Sequence, residues 1–172
     1  MDGHTFAARS WRGHLNRRHA SPDQRRRSIT DGLAAEDAFA ALLDGLGVPY
    51  RRPAKLTYAP DRGDFIIRGR VWDVKSTTMP GRAVLCADQA AHLVAWYVHY
   101  RLGPGEPQCL GCIRWQDMLR YSVRVPRGAV IPGPGVFRAS YRLYCLTDLT
   151  RLRPVEGVLR GAVPDDRGVR DA

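Results

Sequence analysis

Two aspartates and one lysine of this sequence could together form an active site: Asp64, and then Asp73 and Lys75 in the string Asp-Val-Lys. Carboxylate oxygens are ligands that Mg²⁺ prefers, and a typical site uses one or two of them with water and a substrate phosphate. Such a cation polarises a phosphoryl oxygen and activates water, while a nearby ammonium steadies charge on the phosphate. If these three side chains meet, they suit phosphodiester hydrolysis.

A β-hairpin would bring them together. Residues 65–67, and residues 71–74 apart from Asp73, are apolar with β-branched and aromatic members, and the Arg-Gly-Arg between the two runs suits a tight turn. Because side chains alternate along a strand, Asp73 and Lys75 share one face of the second strand, whereas Trp72 takes the other.

The length and position of the turn decide whether the acids meet. A two-residue loop at 68–69 places Asp64 opposite Asp73, and one at 69–70 places it opposite Lys75 and diagonal to Asp73. A three-residue loop instead turns Asp64 to the other face. Two carboxylates about 5 Å apart repel each other unless a cation or the lysine compensates. This cost is the physical reason to expect a site at the hairpin.

A helix is predicted before the hairpin, from about Asp31 to Leu46. The segment is rich in Ala, Leu and Glu, and Gly47 followed by Pro49 is a good stop signal. Glu36 lies on or beside the apolar stripe of this helix, where a carboxylate usually has a partner.

The pattern of one aspartate before a hairpin and Asp-x-Lys on its second strand resembles the PD-(D/E)xK nuclease superfamily. Asp64, Asp73 and Lys75 match its motif. Pro60-Asp61 also spells the opening dipeptide of the family, so Asp61 is a competing first carboxylate. Asp64 is preferred, because it directly precedes the apolar run and Gly63 gives the chain freedom to enter the strand.

This resemblance implies a restriction-endonuclease-like α/β fold, with a central mixed β-sheet flanked by helices. It implies Mg²⁺ as cofactor, replaceable by Mn²⁺, and an acidic residue from the first helix, for which Glu36 is the matching position. We expect Asp64 and Asp73 to hold the metal together with the Val74 carbonyl, and Lys75 to stabilise the phosphate or orient the water.

A closer resemblance comes from Asp-x-Lys-Ser-Thr at 73–77 followed by Gln-x-x-His-Leu at 89–93. These strings are similar to those of the RecU-type Holliday-junction resolvases, and the similarity covers roughly 33–115. It implies that Gln89, at the start of a second helix predicted from Gln89 to about Leu102, bonds an active-site water or the lysine. The family commonly has Glu where this chain has Asp73, a change that shortens the reach of the ligand.

The charge of the chain favours a polyanionic partner. Lys and Arg number 27 against 17 Asp and Glu, giving a net charge of +10 and a pI near 10.1, so DNA is the first candidate. Residues 1–29 are predicted to be a flexible basic arm, and a second basic segment leads into the hairpin. The predicted DNA-binding residues are Arg17, Arg18, Arg25, Arg26, Arg27, Arg51, Arg52, Lys55 and Arg62.

Composition also excludes some classes. No apolar run approaches the roughly 20 residues of a membrane-spanning helix, and the N-terminus lacks the apolar region of a secretory signal. The four cysteines have no spacing typical of a complete zinc site, so reduced thiols in a cytoplasmic protein are expected.

Together these features predict one nuclease domain at 30–153, between the arm and a flexible tail at 154–172. Further strands are expected at 83–86, 108–115, 123–125 and 141–146, the last of them completing the sheet. The predicted function is Mg²⁺-dependent resolution of four-way DNA junctions by a homodimer, since cutting opposing strands of a near two-fold junction needs two sites. A restriction- or repair-type nuclease acting on duplex or flap DNA, and a non-catalytic basic DNA-binding module, are the alternatives.

Overall fold

A computed structural model describes residues 22–53, 63–86, 93–131, 137–139 and 142–161. The α-helices are α1 (Pro22–Gly45), α2 (Trp115–Tyr121) and α3 (Val155–Leu159), with a 3₁₀ turn at Leu149–Arg151. The strands are β1 (Phe65–Ile67), β2 (Arg70–Thr77), β3 (Ala83–Cys86), β4 (Trp96–Arg101), β5 (Gln108–Arg114), β6 (Val123–Val125), β7 (Val130–Ile131), β8 (Phe137–Arg138) and β9 (Leu143–Leu146).

The central sheet is mixed, as the sequence predicts, and the fold is α/β. Its four strands follow the order β1-β2-β4-β5. β1 and β2 form an antiparallel hairpin, β2 and β4 are parallel, and β4 and β5 are antiparallel. The hairpin that carries the candidate site is therefore joined to the rest of the sheet through β2.

The remaining strands form smaller sheets, which corrects the expectation that 141–146 completes the central sheet. β9 is the middle strand of a three-stranded antiparallel sheet in the order β3-β9-β6, and β7 pairs with β8. The alternation of apolar residues predicts that a segment is a strand, but it does not say which strand it will join.

An aromatic cluster holds α1 against the central sheet. The Phe39 ring lies edge-on to Phe65, with centroids 4.9 Å apart, and stacks on Trp72 at 6.1 Å. Trp72 stacks in turn on Trp96 of the neighbouring strand at 5.5 Å. Because all four rings are buried, they fix which face of β2 the helix covers.

Helix α1 begins nine residues earlier than the predicted Asp31, so residues 22–29 belong to the helix and not to an arm. Arg and Gln are good helix formers and extend the helix without apolar periodicity. Ile29 is buried in this added segment, whereas residues 1–21 lie outside the described residues. Within the described residues, no helix is long and apolar enough to cross a membrane.

The helix predicted from Gln89 to Leu102 is wrong over its second half, because Trp96–Arg101 is strand β4. Ala90, Leu93, Val94 and Tyr97 happen to recur at helical spacing, but the Trp-Tyr-Val-His-Tyr run has the aromatic and β-branched character of a strand. The five residues of that run are all buried, as in a strand covered on both faces.

The C-terminal boundary also differs from the prediction of a flexible tail from residue 154. The side chains of Val155 and Leu159 in α3 are buried in the same core cluster as Phe39 and Trp72. An antiparallel bridge between Arg153 and Cys112 holds the start of this segment to β5.

Truncating Phe39 should destabilise the protein more than any change on the exposed side of α1. We expect Phe39→Ala to lower the free energy of unfolding by about 3–5 kcal/mol, because a fully buried ring leaves a cavity. Urea denaturation measures this loss. Asp44→Ala, at an exposed position of the same helix, is the control and should change stability by less than about 0.5 kcal/mol. Similar losses for the two variants would contradict the described packing.

Candidate active site

The β1–β2 turn has the two-residue loop at 68–69, the first of the registers allowed by the sequence. Ile67 pairs with Arg70, and Phe65 pairs with Trp72. Arg68 and Gly69 have φ angles of 49° and 75°, and positive φ at both central residues is the signature of a type I′ turn. The paired register ends at Phe65, and Asp64 follows it at the end of the ladder, next to Trp72 and Val74 of β2.

Asp64 is held at the end of the hairpin by two hydrogen bonds to β2. Its backbone N–H donates to the Trp72 carbonyl at 2.9 Å, and its Oδ2 accepts from the Val74 N–H at 2.8 Å. The carboxylate thus takes the place that a backbone carbonyl has in a regular ladder. Gly63 precedes it with φ 77°, as expected of a glycine that redirects the chain into the strand.

Asp73 and Lys75 form an ion pair on one face of β2. Lys75 Nζ lies 2.5 Å from Asp73 Oδ2, and the side chains are 12% and 2% exposed. Asp64 is also buried, at 6%. All three side chains are therefore largely shielded from water, where charges interact more strongly than on the surface.

The Val74 carbonyl faces the same edge of β2 as the Asp64 carboxylate. Carbonyls of Val71 and Thr77 accept hydrogen bonds from residues 95 and 102, next to β4, so alternate residues of β2 face β1. The N–H of Val74 points to Asp64, and within a strand the N–H and C=O of one residue point to the same side.

These oxygens fit the chemistry of a magnesium site. Two aspartate carboxylates and one backbone carbonyl are hard oxygen donors, and Mg²⁺ commonly takes one or two carboxylates and keeps several waters. The residues that would hold it are Asp64, Asp73 and Val74. In the part of the chain that the structure describes, no three His, Cys, Asp or Glu side chains are grouped to hold a metal.

Glu36 is buried on the core side of α1, as its position on the apolar stripe predicts, with 8% exposure. The helix covers the face of β2 that carries Trp72 and Val74, whereas Asp73 and Lys75 point to the other face. Glu36 is not part of a three-acid group with Asp64 and Asp73.

His99 is a neighbour of the site that sequence reasoning missed. It lies on β4 in register with Lys75 and is fully buried. Burial, together with the charge of Lys75, lowers the pKa of His99 to about 3, so the imidazole is neutral. If Trp96–Arg101 had been predicted as a strand next to β2, His99 would have been identified as a neighbour of the site.

The predicted DNA-binding residues have mixed outcomes. Arg26, Arg27 and Arg51 are exposed. Arg52 is exposed too, but its guanidinium donates to Asp37 Oδ1 at 3.0 Å and to the Glu36 carbonyl at 3.1 Å, so it ties the segment after α1 to the helix. For Arg25 only the backbone is described. The calls at Arg17, Arg18, Lys55, Asp61, Arg62 and Gln89 lie outside the described residues.

Comparisons with known proteins add no assignment. No family model matches the chain, and searches of curated proteins and of solved structures find no significant match. The chemistry of the site is therefore argued from its own residues.

Gly63 should be the least replaceable glycine of the hairpin. An alanine Cβ there would lie 2.4 Å from Val71 Cγ1 and 2.8 Å from the Trp72 carbonyl oxygen, whereas at Gly69 it would meet open space. Both positions have positive φ, so Gly69→Ala is a matched control that should cost about 1 kcal/mol. We expect Gly63→Ala to cost at least about 1 kcal/mol more because of the clash. Equal costs in urea denaturation would show that this close approach is not made in solution.

Proposed function

We propose that this protein is a magnesium-dependent endodeoxyribonuclease with a restriction-endonuclease-like core. The observation that carries the proposal is a pair of contacts on neighbouring residues of one short hairpin: Asp64 accepts a hydrogen bond from the Val74 N–H, and Asp73 is paired with Lys75. The trio has one more negative than positive charge, so a divalent cation is attracted to it. The mixed α/β sheet supports the same fold class.

Each residue has a distinct part in the proposed reaction. The Asp64 and Asp73 carboxylates and the Val74 carbonyl would bind Mg²⁺, which supplies Lewis-acid polarisation of the phosphoryl oxygen and activation of water. Lys75 donates to the phosphate as negative charge develops on it or orients the attacking water. The Asp64 hydrogen bond to Val74 keeps the first carboxylate oriented before substrate arrives. Gln89 is proposed to bond an active-site water or Lys75, whereas Glu36, on the α1 side of β2, is assigned no part in the reaction.

The substrate class follows from charge. A net charge of +10 favours binding to phosphate backbones, and the exposed Arg26, Arg27 and Arg51 would contact phosphates without reading sequence. Within DNA we propose four-way junctions, on the strength of the Asp-x-Lys-Ser-Thr and Gln-x-x-His-Leu strings. A homodimer would place two sites on opposing strands of such a junction.

Removing either carboxylate should abolish metal-dependent cleavage. We expect Asp64→Asn and Asp73→Asn to lower the single-turnover rate on a labelled DNA junction in MgCl₂ at least about a hundredfold, because each removes a charged ligand. Lys75→Met should have a loss of similar size, and EDTA should stop wild-type cleavage.

Asp44→Asn provides the matched control, since it removes an exposed carboxylate on α1 and should cut like the wild type. If Asp73→Asn retains Mg²⁺-supported cleavage, the nuclease proposal is wrong. A protein that binds DNA but never cuts it would instead be a basic DNA-binding module.

The choice of substrate needs cleavage rates, because affinity is dominated by phosphate contacts. We expect a synthetic four-way junction to be cut at least about tenfold faster than linear duplex made of the same arms at matched salt, with paired nicks on opposing strands. Asp73→Asn serves as the binding-only control. Faster cutting of linear duplex would remove the junction assignment and leave the nuclease assignment standing.

A further inference from the structure

His99 lies beside the candidate site, on the strand parallel to β2. His99 pairs in register with Lys75 of β2, and Tyr97 of β4 pairs with Asp73 of β2. Trp96, Val98 and Tyr100 belong to the aromatic core cluster on the α1 side, so the side chain of His99 points to the opposite face, with Asp73 and Lys75. Neighbouring side chains on adjacent strands stand about 5 Å apart.

The imidazole is fully buried, and neither Nδ1 nor Nε2 has a hydrogen-bond partner among the residues that the structure describes. Its partner on the other side, on β5, is Gly111, which has no side chain to offer. A neutral imidazole has one N–H donor and one acceptor nitrogen. A buried imidazole that makes neither of these two hydrogen bonds reduces stability, so packing alone does not account for a histidine at this position.

Lys75 is a hydrogen-bond donor that suits the acceptor nitrogen of the His99 imidazole. Its ammonium has three donors and no acceptor, and one contact is to Asp73 Oδ2 at 2.5 Å. A divalent cation bound by Asp73 competes with the ammonium for the same carboxylate. An ammonium that shifts away from that oxygen gains from a second buried acceptor on the neighbouring strand.

We propose that His99 is a positioning residue for Lys75. When a divalent cation is bound by Asp64 and Asp73, the imidazole of His99 accepts a hydrogen bond from the Lys75 ammonium. This inference rests on the proposed function. The imidazole keeps the lysine at the site, directed to the phosphate, when the ion pair with Asp73 is weakened. The neutral state of His99, set by burial and by the Lys75 charge, leaves its acceptor nitrogen available.

The first test compares His99→Leu, which has no acceptor, with His99→Gln, which restores one. Without metal, His99→Leu should melt at the wild-type temperature or about 3 °C higher at pH 8, because a buried unsatisfied group is removed. In MgCl₂ the same variant should cut DNA at least about tenfold more slowly at saturating substrate, with KM little changed. His99→Gln should recover most of the rate. If His99→Leu does not fold, His99→Phe takes its place.

The second readout does not depend on cleavage. Ligands that bind only the folded protein raise its melting temperature, so the increase caused by MgCl₂ reports metal binding directly. We expect a smaller increase for His99→Leu than for the wild type, and no difference between Lys75→Met and the Lys75→Met/His99→Leu double variant, since the histidine acts through the lysine.

The outcomes separate the two proposals. A wild type that cuts and is stabilised by MgCl₂, with a His99→Leu variant that does both equally well, overturns the role of His99 alone. An additional loss from His99→Leu in the Lys75→Met background overturns it too. A wild type that neither cuts DNA nor gains stability from MgCl₂ overturns the proposed function and this inference together.

Discussion

The hydrogen bond from the Val74 N–H to the Asp64 carboxylate is the contact on which the site depends. It ends the β1–β2 ladder with a charged side chain in place of a backbone carbonyl, and so fixes a carboxylate at the backbone of the residue that follows Asp73. A charge-assisted bond of this kind is stronger than an ordinary backbone bond. Lys75 offsets the charge of Asp73 through their ion pair.

That core lies on the other face of the same strand. Trp72 packs between Phe39 and Trp96, while Asp73 and Lys75 point away from α1. Because side chains alternate along β2, the residues that pack against α1 and the residues of the candidate site follow one another in the sequence but lie on opposite faces. A one-residue shift of register would exchange the two sets and bury the charges in the aromatic cluster.

Alternation and turn chemistry are local, so they predicted the hairpin and the faces of β2, whereas the α/β class was expected from the family resemblance. The sequence left three turns open, and the left-handed conformations of Arg68 and Gly69 decide among them. It failed at β4, where apolar residues at helical spacing concealed a central strand, and His99 was missed for this reason. It placed the start of α1 too late and missed α3, since the burial of Val155 depends on partners far away in the sequence.

The core cluster joins the two ends of the described chain, because Phe39 of α1 and Val155 and Leu159 of α3 pack in it together. On the ribosome, the hairpin would emerge well before the helix that completes its support. Non-local contacts of this kind slow folding and leave apolar surface exposed for longer. The hairpin should therefore become fully packed only once residues 155–159 can reach it.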